Sequence, residues 1–231
     1  MRITLKSNTA ILVFANSAQK EASIKTFKAS EHLFSELNRH VLATVEATGL
    51  PYFQFSEVNQ VGADFGERFT NAIDSVYQLG FNQVISIGND TPHLRAIHIL
   101  DAAKQLEEND VVLGPSKDGG FYLLGLRKSH FSKQQFLKLP WQTSHLNRSI
   151  SRLLLDANTT VSYLEQLADI DVLSDVKFVL DSFKSLSRTL RKALQSYRSV
   201  ESSFFKDFFG IFQQFILDLQ FNKGSPSLFQ I

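Results

Sequence analysis

The run Ala10 to Phe14, AILVF, holds no polar side chain, and a strand can carry such a run only if both of its faces are covered. The pattern repeats along the chain. Val84–Ile87 (VISI) and Val111–Leu113 are further short buried runs. Pro51–Phe55, Phe121–Leu126 and Val161–Leu164 complete a set of six predicted strands. Between them the apolar residues recur at spacings of three and four. Leu33, Phe34, Leu37, Val41, Leu42 and Val45 form one such helical face, ending at Gly49. Further helices are expected over Phe65–Leu79, Leu94–Leu106, Leu146–Leu155 and Leu173–Phe183. Strands alternating with helices predict an α/β fold with a mostly parallel sheet and helices on both faces, three layers in all. In such sheets ligands bind beyond the C-terminal strand ends. The loops after Phe14, Ile87, Leu113 and Leu164 are therefore where chemistry is expected.

Composition narrows the class. A chain of 231 residues, 43% hydrophobic and 20% charged, can bury a core of ordinary size without covalent staples. It has no cysteine, which excludes disulfides, thiolate metal sites and a cysteine nucleophile. A net charge of +1 gives no global field that would recruit nucleic acid. The opening apolar run is too short for a signal peptide, and no stretch reaches the ~20 residues of a membrane span, so a cytoplasmic protein is expected.

The composition changes near residue 185. Residues 186–231 contain eight of the 21 phenylalanines and carry six basic residues against three acids. Residues 1–185 are expected to form the α/β domain and 186–231 a Phe-rich helical extension. From Phe204 to Leu219 most apolar residues fall on one helical stripe. Such a stripe packs on its own domain, pairs with a second copy, or lies on a membrane. Its polar side has one lysine against two aspartates, so among the intermolecular readings a homodimer is expected ahead of a membrane surface.

Four loops carry candidate chemistry. In Gly88-Asn89-Asp90-Thr91-Pro92 a carboxylate follows a buried strand and is placed to bind a ligand, unless Asp90 or Thr91 only caps the helix expected from Leu94. In Gly114-Pro115-Ser116-Lys117-Asp118-Gly119-Gly120 a hairpin turn is crowded with glycines, which let a ligand approach the backbone while Asp118 accepts hydrogen bonds. Asp169 and Asp171 flank one residue and point the same way if extended. Such a pair needs a cation or donors to offset its repulsion, unless Asp171 serves as a helix N-cap. Gly62 to Phe69 is a glycine-punctuated helix entry that could present Arg68 to a phosphate.

Taken in order, GNDTPHL, VVLGPSKDGGFYLLGL, LPWQTS and DIDVLSDV resemble the bacterial glycosyltransferase-A-like (GT-A) family known as selenodomain-associated transferase type one. That family is itself similar to the sugar and cofactor nucleotidyltransferases. The resemblance implies a Rossmann-like, three-layer nucleotide-diphospho-sugar transferase fold. It further implies a divalent metal, Mg or Mn, held by Asp90, with Asp171 as a second ligand and Asp169 beside it. By the same likeness Gly66 and Arg68 approach the nucleotide, Lys25 faces phosphates, and Asp118, Gly119 and Gly120 hold the sugar or acceptor, with Asp90 and Asp118 as the catalytic pair. Two positions depart from the family pattern: Phe27 stands where an arginine is usual, and no glycine occurs between Phe14 and Lys25. The expected activity is glycosyl transfer from a nucleotide sugar. A nucleotidyltransferase and a non-catalytic nucleotide-binding or scaffold protein are the alternatives.

Overall fold

The structure is a computed structural model that describes residues 8–24, 31–143, 145–155, 159–182 and 185–199. Six strands form one sheet: β1 (Thr9–Phe14), β2 (Tyr52–Phe55), β3 (Gln83–Ile87), β4 (Val111–Pro115), β5 (Phe121–Arg127) and β6 (Val161–Tyr163). Their order is β2-β1-β3-β5-β4-β6. β1 runs parallel to β2 and β3, and β4 parallel to β6, while β5 is antiparallel to both of its neighbours. The helices are α1 (Ala18–Ile24), α2 (Glu31–Glu46), α3 (Phe65–Gln78), α4 (Ala96–Gln105), α5 (Lys133–Phe136), α6 (Leu146–Leu155) and α7 (Leu173–Asp181).

The continuous apolar run of β1 has the expected cause: every residue from Thr9 to Phe14 is buried. Ala10, Leu12 and Phe14 join a core with α3 residues Phe69, Ile73 and Val76, whereas Ile11 and Val13 face α2 and α4 through Val41, Val45 and Ile99. A third cluster joins Leu33, Phe34 and Leu37 of α2 to Val176 and Val179 of α7. The expected helix over Leu94–Leu106 begins later, at Ala96, because Pro92 and His93 are spent in a turn closed by Leu94 N–H donating to Thr91 O at 3.1 Å.

Beyond residue 185 the described chain is helical over 188–199. Leu190, Ala193, Leu194 and Tyr197 are buried in the third cluster against α2 and α7. The boundary after residue 185 is thus compositional; the first turns that follow it share the core. The apolar stripe from Phe204 to Leu219 lies outside the described residues. Among the described residues no helix is long and apolar enough to cross a membrane.

Candidate functional site

A cleft of about 510 Å³ opens over the C-terminal ends of β1, β3 and β4, where the sheet order predicts a ligand. Asp90 stands just past β3 and Asp118 in the β4–β5 turn. Asp169 and Asp171 lie on the segment that leaves β6 for α7. All four line this cleft, together with Arg68 and Gly120. The carboxylates of Glu21, Asp90, Asp118, Asp169 and Asp171 thus face a single described arginine, Arg68.

Backbone hydrogen bonds bring these loops together. Leu167 N–H donates to Pro115 O at 3.1 Å, and Ile170 N–H donates to Asp90 O at 2.9 Å. The 167–170 segment therefore lies between the β3 and β4 loops and delivers Asp169 to Asp90. Thr91 Oγ1 donates to Asp169 Oδ1 at 2.5 Å, and Ser116 also bonds the Asp169 side chain. Burial raises the Asp169 carboxyl well above the usual carboxylate range, and the charges of Asp90 and Asp118 add to the rise. The Thr91 and Ser116 hydroxyls act in the opposite sense. Ser116 Oγ and the Gly120 N–H, at 3.0 Å, both donate to Asp118 Oδ1, and the residue lines the cleft.

Helix α2 supports the loops from behind. Asn38 accepts from buried Asn89 at 2.7 Å and donates to Asn16 O at 3.2 Å. His40 Nε2 bonds Leu94 O at 2.9 Å. Burial lowers the His40 pKa, which keeps the ring neutral with its proton on Nε2 for that bond.

Several expectations need correction. Asp90 caps no helix, because α4 starts six residues later with Arg95 as its N-cap. Nor is Asp171 the N-cap of α7. Val172 holds that position, and Asp175 reaches back to accept the N–H groups of Asp171 and Val172 at 2.9 and 2.8 Å. Asp169 is the carboxyl group set against Asp90, and Asp171, which is exposed, lines the same cleft. Among the described residues no group of three His, Asp or Glu side chains is placed to hold a metal ion. Two carboxylates and their hydroxyl partners remain, an oxygen donor set that suits a hard divalent ion whose other ligands are water or substrate phosphate.

The glycines read differently in space. Gly66 lies in the first turn of α3 and is not part of the cleft lining. A Cβ there would meet Trp141 Cδ1 at 2.4 Å, so the indole fills its space. Gly114 likewise accommodates the Tyr122 ring, 2.5 Å from where a Cβ would stand. Gly119 has φ 93° and is required by the turn itself, while its neighbour Gly120 lines the cleft. Lys25 lies outside the described residues. At the start of α1, Ser17 N–H donates to Glu57 Oε2 at 2.7 Å, so a carboxylate of the chain occupies the donor of this glycine-free loop.

Ser116 and Trp141 lie in the recognised motifs without a role that residue type suggests, and Thr91, a candidate helix cap, instead donates to Asp169. Their positions in GPSKDGG, GNDTPHL and LPWQTS were the available signal. Glu57 had none.

No curated protein matches the chain. Among solved structures, a candidate nucleotide-diphospho-sugar transferase from Desulfovibrio desulfuricans G20 superposes with a TM-score of 0.70 at 20% identity, covering 83% of this chain and 98% of that one. The 4-diphosphocytidyl-2C-methyl-D-erythritol synthase of Anaerococcus prevotii DSM 20548 superposes with a TM-score of 0.50 at 10% identity, covering 74% of this chain and 97% of that one. These likenesses establish the fold as that of the nucleotide-diphospho-sugar transferases. In sequence, residues 29–143 match a family described as uncharacterized protein conserved in bacteria, DUF2064.

Proposed function

We propose that the protein is a transferase acting on a nucleoside diphosphate sugar with the help of Mg or Mn, of the kind represented by the selenodomain-associated transferases. The observation that carries this reading is the apposition of Asp90 and half-buried Asp169 at the open end of the sheet, in a cleft with five carboxylates and one arginine. A diphosphate entering that cleft meets repulsion unless a cation accompanies it. Asp90 and Asp169 would hold the ion. When bound, it would supply positive charge against the negative charge that grows on the departing diphosphate.

The chain's own side chains account for the remainder. Arg68 reaches the same cleft from α3 and offers a fixed positive charge to phosphate oxygens. In transfer, the bond from the anomeric carbon to the diphosphate oxygen breaks and an acceptor oxygen bonds that carbon. The acceptor proton passes to Asp118, and the nucleoside diphosphate leaves. Asp118 is suited to this because it lines the cleft and its carboxylate is held in place by Ser116 and Gly120 through Oδ1.

Product analysis tests the reading. Incubation with Mn²⁺ and a panel of nucleotide sugars is expected to release nucleoside diphosphate. Pyrophosphate from a nucleoside triphosphate would instead make the protein a nucleotidyltransferase. The Glu57 carboxylate at the start of α1 favours a third reading, a nucleotide-binding protein without turnover, since it takes a donor that phosphate would use. Tight binding with neither product would establish that third reading.

A further inference from the structure

One wall of the cleft has features that the carboxylate chemistry does not use. Phe14 and Phe69 pack at 5.1 Å, Phe65 stacks on Phe69 at 5.7 Å, and Trp141 meets Phe69 edge-on at 5.1 Å and Phe121 at 6.3 Å. Phe14 and Phe69 belong to the core, but Phe65, Phe121 and Trp141 are only partly buried and line the cleft. A bland reading makes this simply the upper edge of the core. Two observations exceed it.

Ser86 lies on β3 between Leu12 and Leu124, pointing to this aromatic side of the sheet. It is 2% exposed and lines the cleft floor, yet its hydroxyl has no hydrogen-bond partner among the described residues. An unsatisfied buried hydroxyl is a standing cost that an alanine would avoid. At the rim, Gln142 is the only non-glycine described residue with positive φ, at 57°. Its side chain is exposed, and the residue lines the cleft beside Trp141. Backbone strain of this kind concentrates where a side chain must be aimed at a ligand.

We infer that Ser86 and Gln142 determine specificity for a sugar ring, which lies with its apolar face on the Trp141–Phe121 wall, one hydroxyl bonded by Ser86 as its side chain turns into the cleft and another by Gln142. The chemistry matches a pyranose, whose C–H face suits an aromatic surface and whose edge carries donors and acceptors. Asp118, one turn from Phe121, closes the same compartment from the carboxylate side. This inference rests on the nucleotide-sugar reading and adds which residues choose the sugar.

Trp141 is the chain's single tryptophan, so its emission reports on this compartment alone. The full-length protein with Mn²⁺ is titrated with UDP and GDP, and then with UDP-glucose and GDP-mannose. The expected result is a change in Trp141 emission for at least one nucleotide sugar that its bare nucleoside diphosphate does not produce. Ser86→Ala and Gln142→Gly are expected to retain the melting temperature or raise it. Both should keep affinity for the nucleoside diphosphate and weaken binding of the nucleotide sugar by about tenfold, ~1.4 kcal/mol. If both variants keep the wild-type ratio of nucleotide-sugar to nucleotide affinity, the inference is overturned. It is also overturned if nucleotide and nucleotide sugar change the emission equally. Wild-type protein that binds none of the four overturns the proposed function itself, an outcome distinct from the other two.

Discussion

Asp90 and Gly66 show how one residue type can have two meanings that only a neighbour distinguishes. For Asp90 the neighbour is Asp169, brought to it by the Ile170 N–H bond to Asp90 O. Asp90→Asn removes one of the two facing carboxyl groups. It is expected to weaken Mn²⁺-supported nucleotide binding by at least about tenfold while leaving the thermal transition in place. Calorimetry with and without Mn²⁺ checks this; equal affinity in the variant would remove the metal from Asp90. For Gly66 the neighbour is Trp141. Gly66→Ala forces a methyl into the indole and is expected to cost about 1–3 kcal/mol, as overpacking does, which urea unfolding would measure. Asp118→Ala is expected to reduce turnover more than it reduces binding of the bare nucleotide, because the carboxylate serves the reacting groups. Steady-state kinetics beside nucleotide titration separates the two effects, and an equal loss in both would move Asp118 out of the chemistry.

At the level of elements, α2 couples the site to the fold. It contacts the β1 loop through Asn38 and Asn16, and the β3 loop through Asn89 and His40. Burial lowers the His40 pKa, so the folded state binds this proton less readily than the unfolded chain does. The contribution to stability is therefore intact above the unfolded value of about 6.5 and declines as pH falls below it toward the folded value. Urea unfolding at pH 5 and pH 7.5 is expected to show an acid loss in the wild type that His40→Gln reduces. An unchanged loss would assign it to other groups. Element positions were legible wherever apolar period and length agreed, as in β1, α3 and α6. The start of α4 was not, because Pro92 suits a first helical turn and a β-turn equally well. The choice was made by the loop's own hydrogen bonds. Asp175 replaced Asp171 as the capping group of α7 for a similar reason: capping depends on backbone conformation at the helix start, which residue type does not reveal.

For the whole molecule, the third core cluster decides how the C-terminal segment can be cut. Leu190, Leu194 and Tyr197 are buried in it, and at ~1.5–3 kcal/mol for each side chain their loss approaches the net stability of a domain. A chain ended at Ser185 is expected to unfold or to melt far lower. One ended at Ser199 should keep its melting temperature and its nucleotide binding. If the stripe from Phe204 to Leu219 pairs two copies, light scattering will report a dimer for the full-length chain and a monomer for the chain ended at Ser199. A full-length monomer would leave the stripe to its own domain. The sequence by itself determined the α/β class, the strand-ending loops and the carboxylates they carry, because short-range periodicity and strand-end position are local properties. Only the tertiary structure decided that Asp169 faces Asp90, that Trp141 fills the space of Gly66, and that Ser86 is left without a partner. The first two relations join residues 79 and 75 positions apart, and the third depends on which groups are missing around Ser86, so none is written in any local stretch of chain.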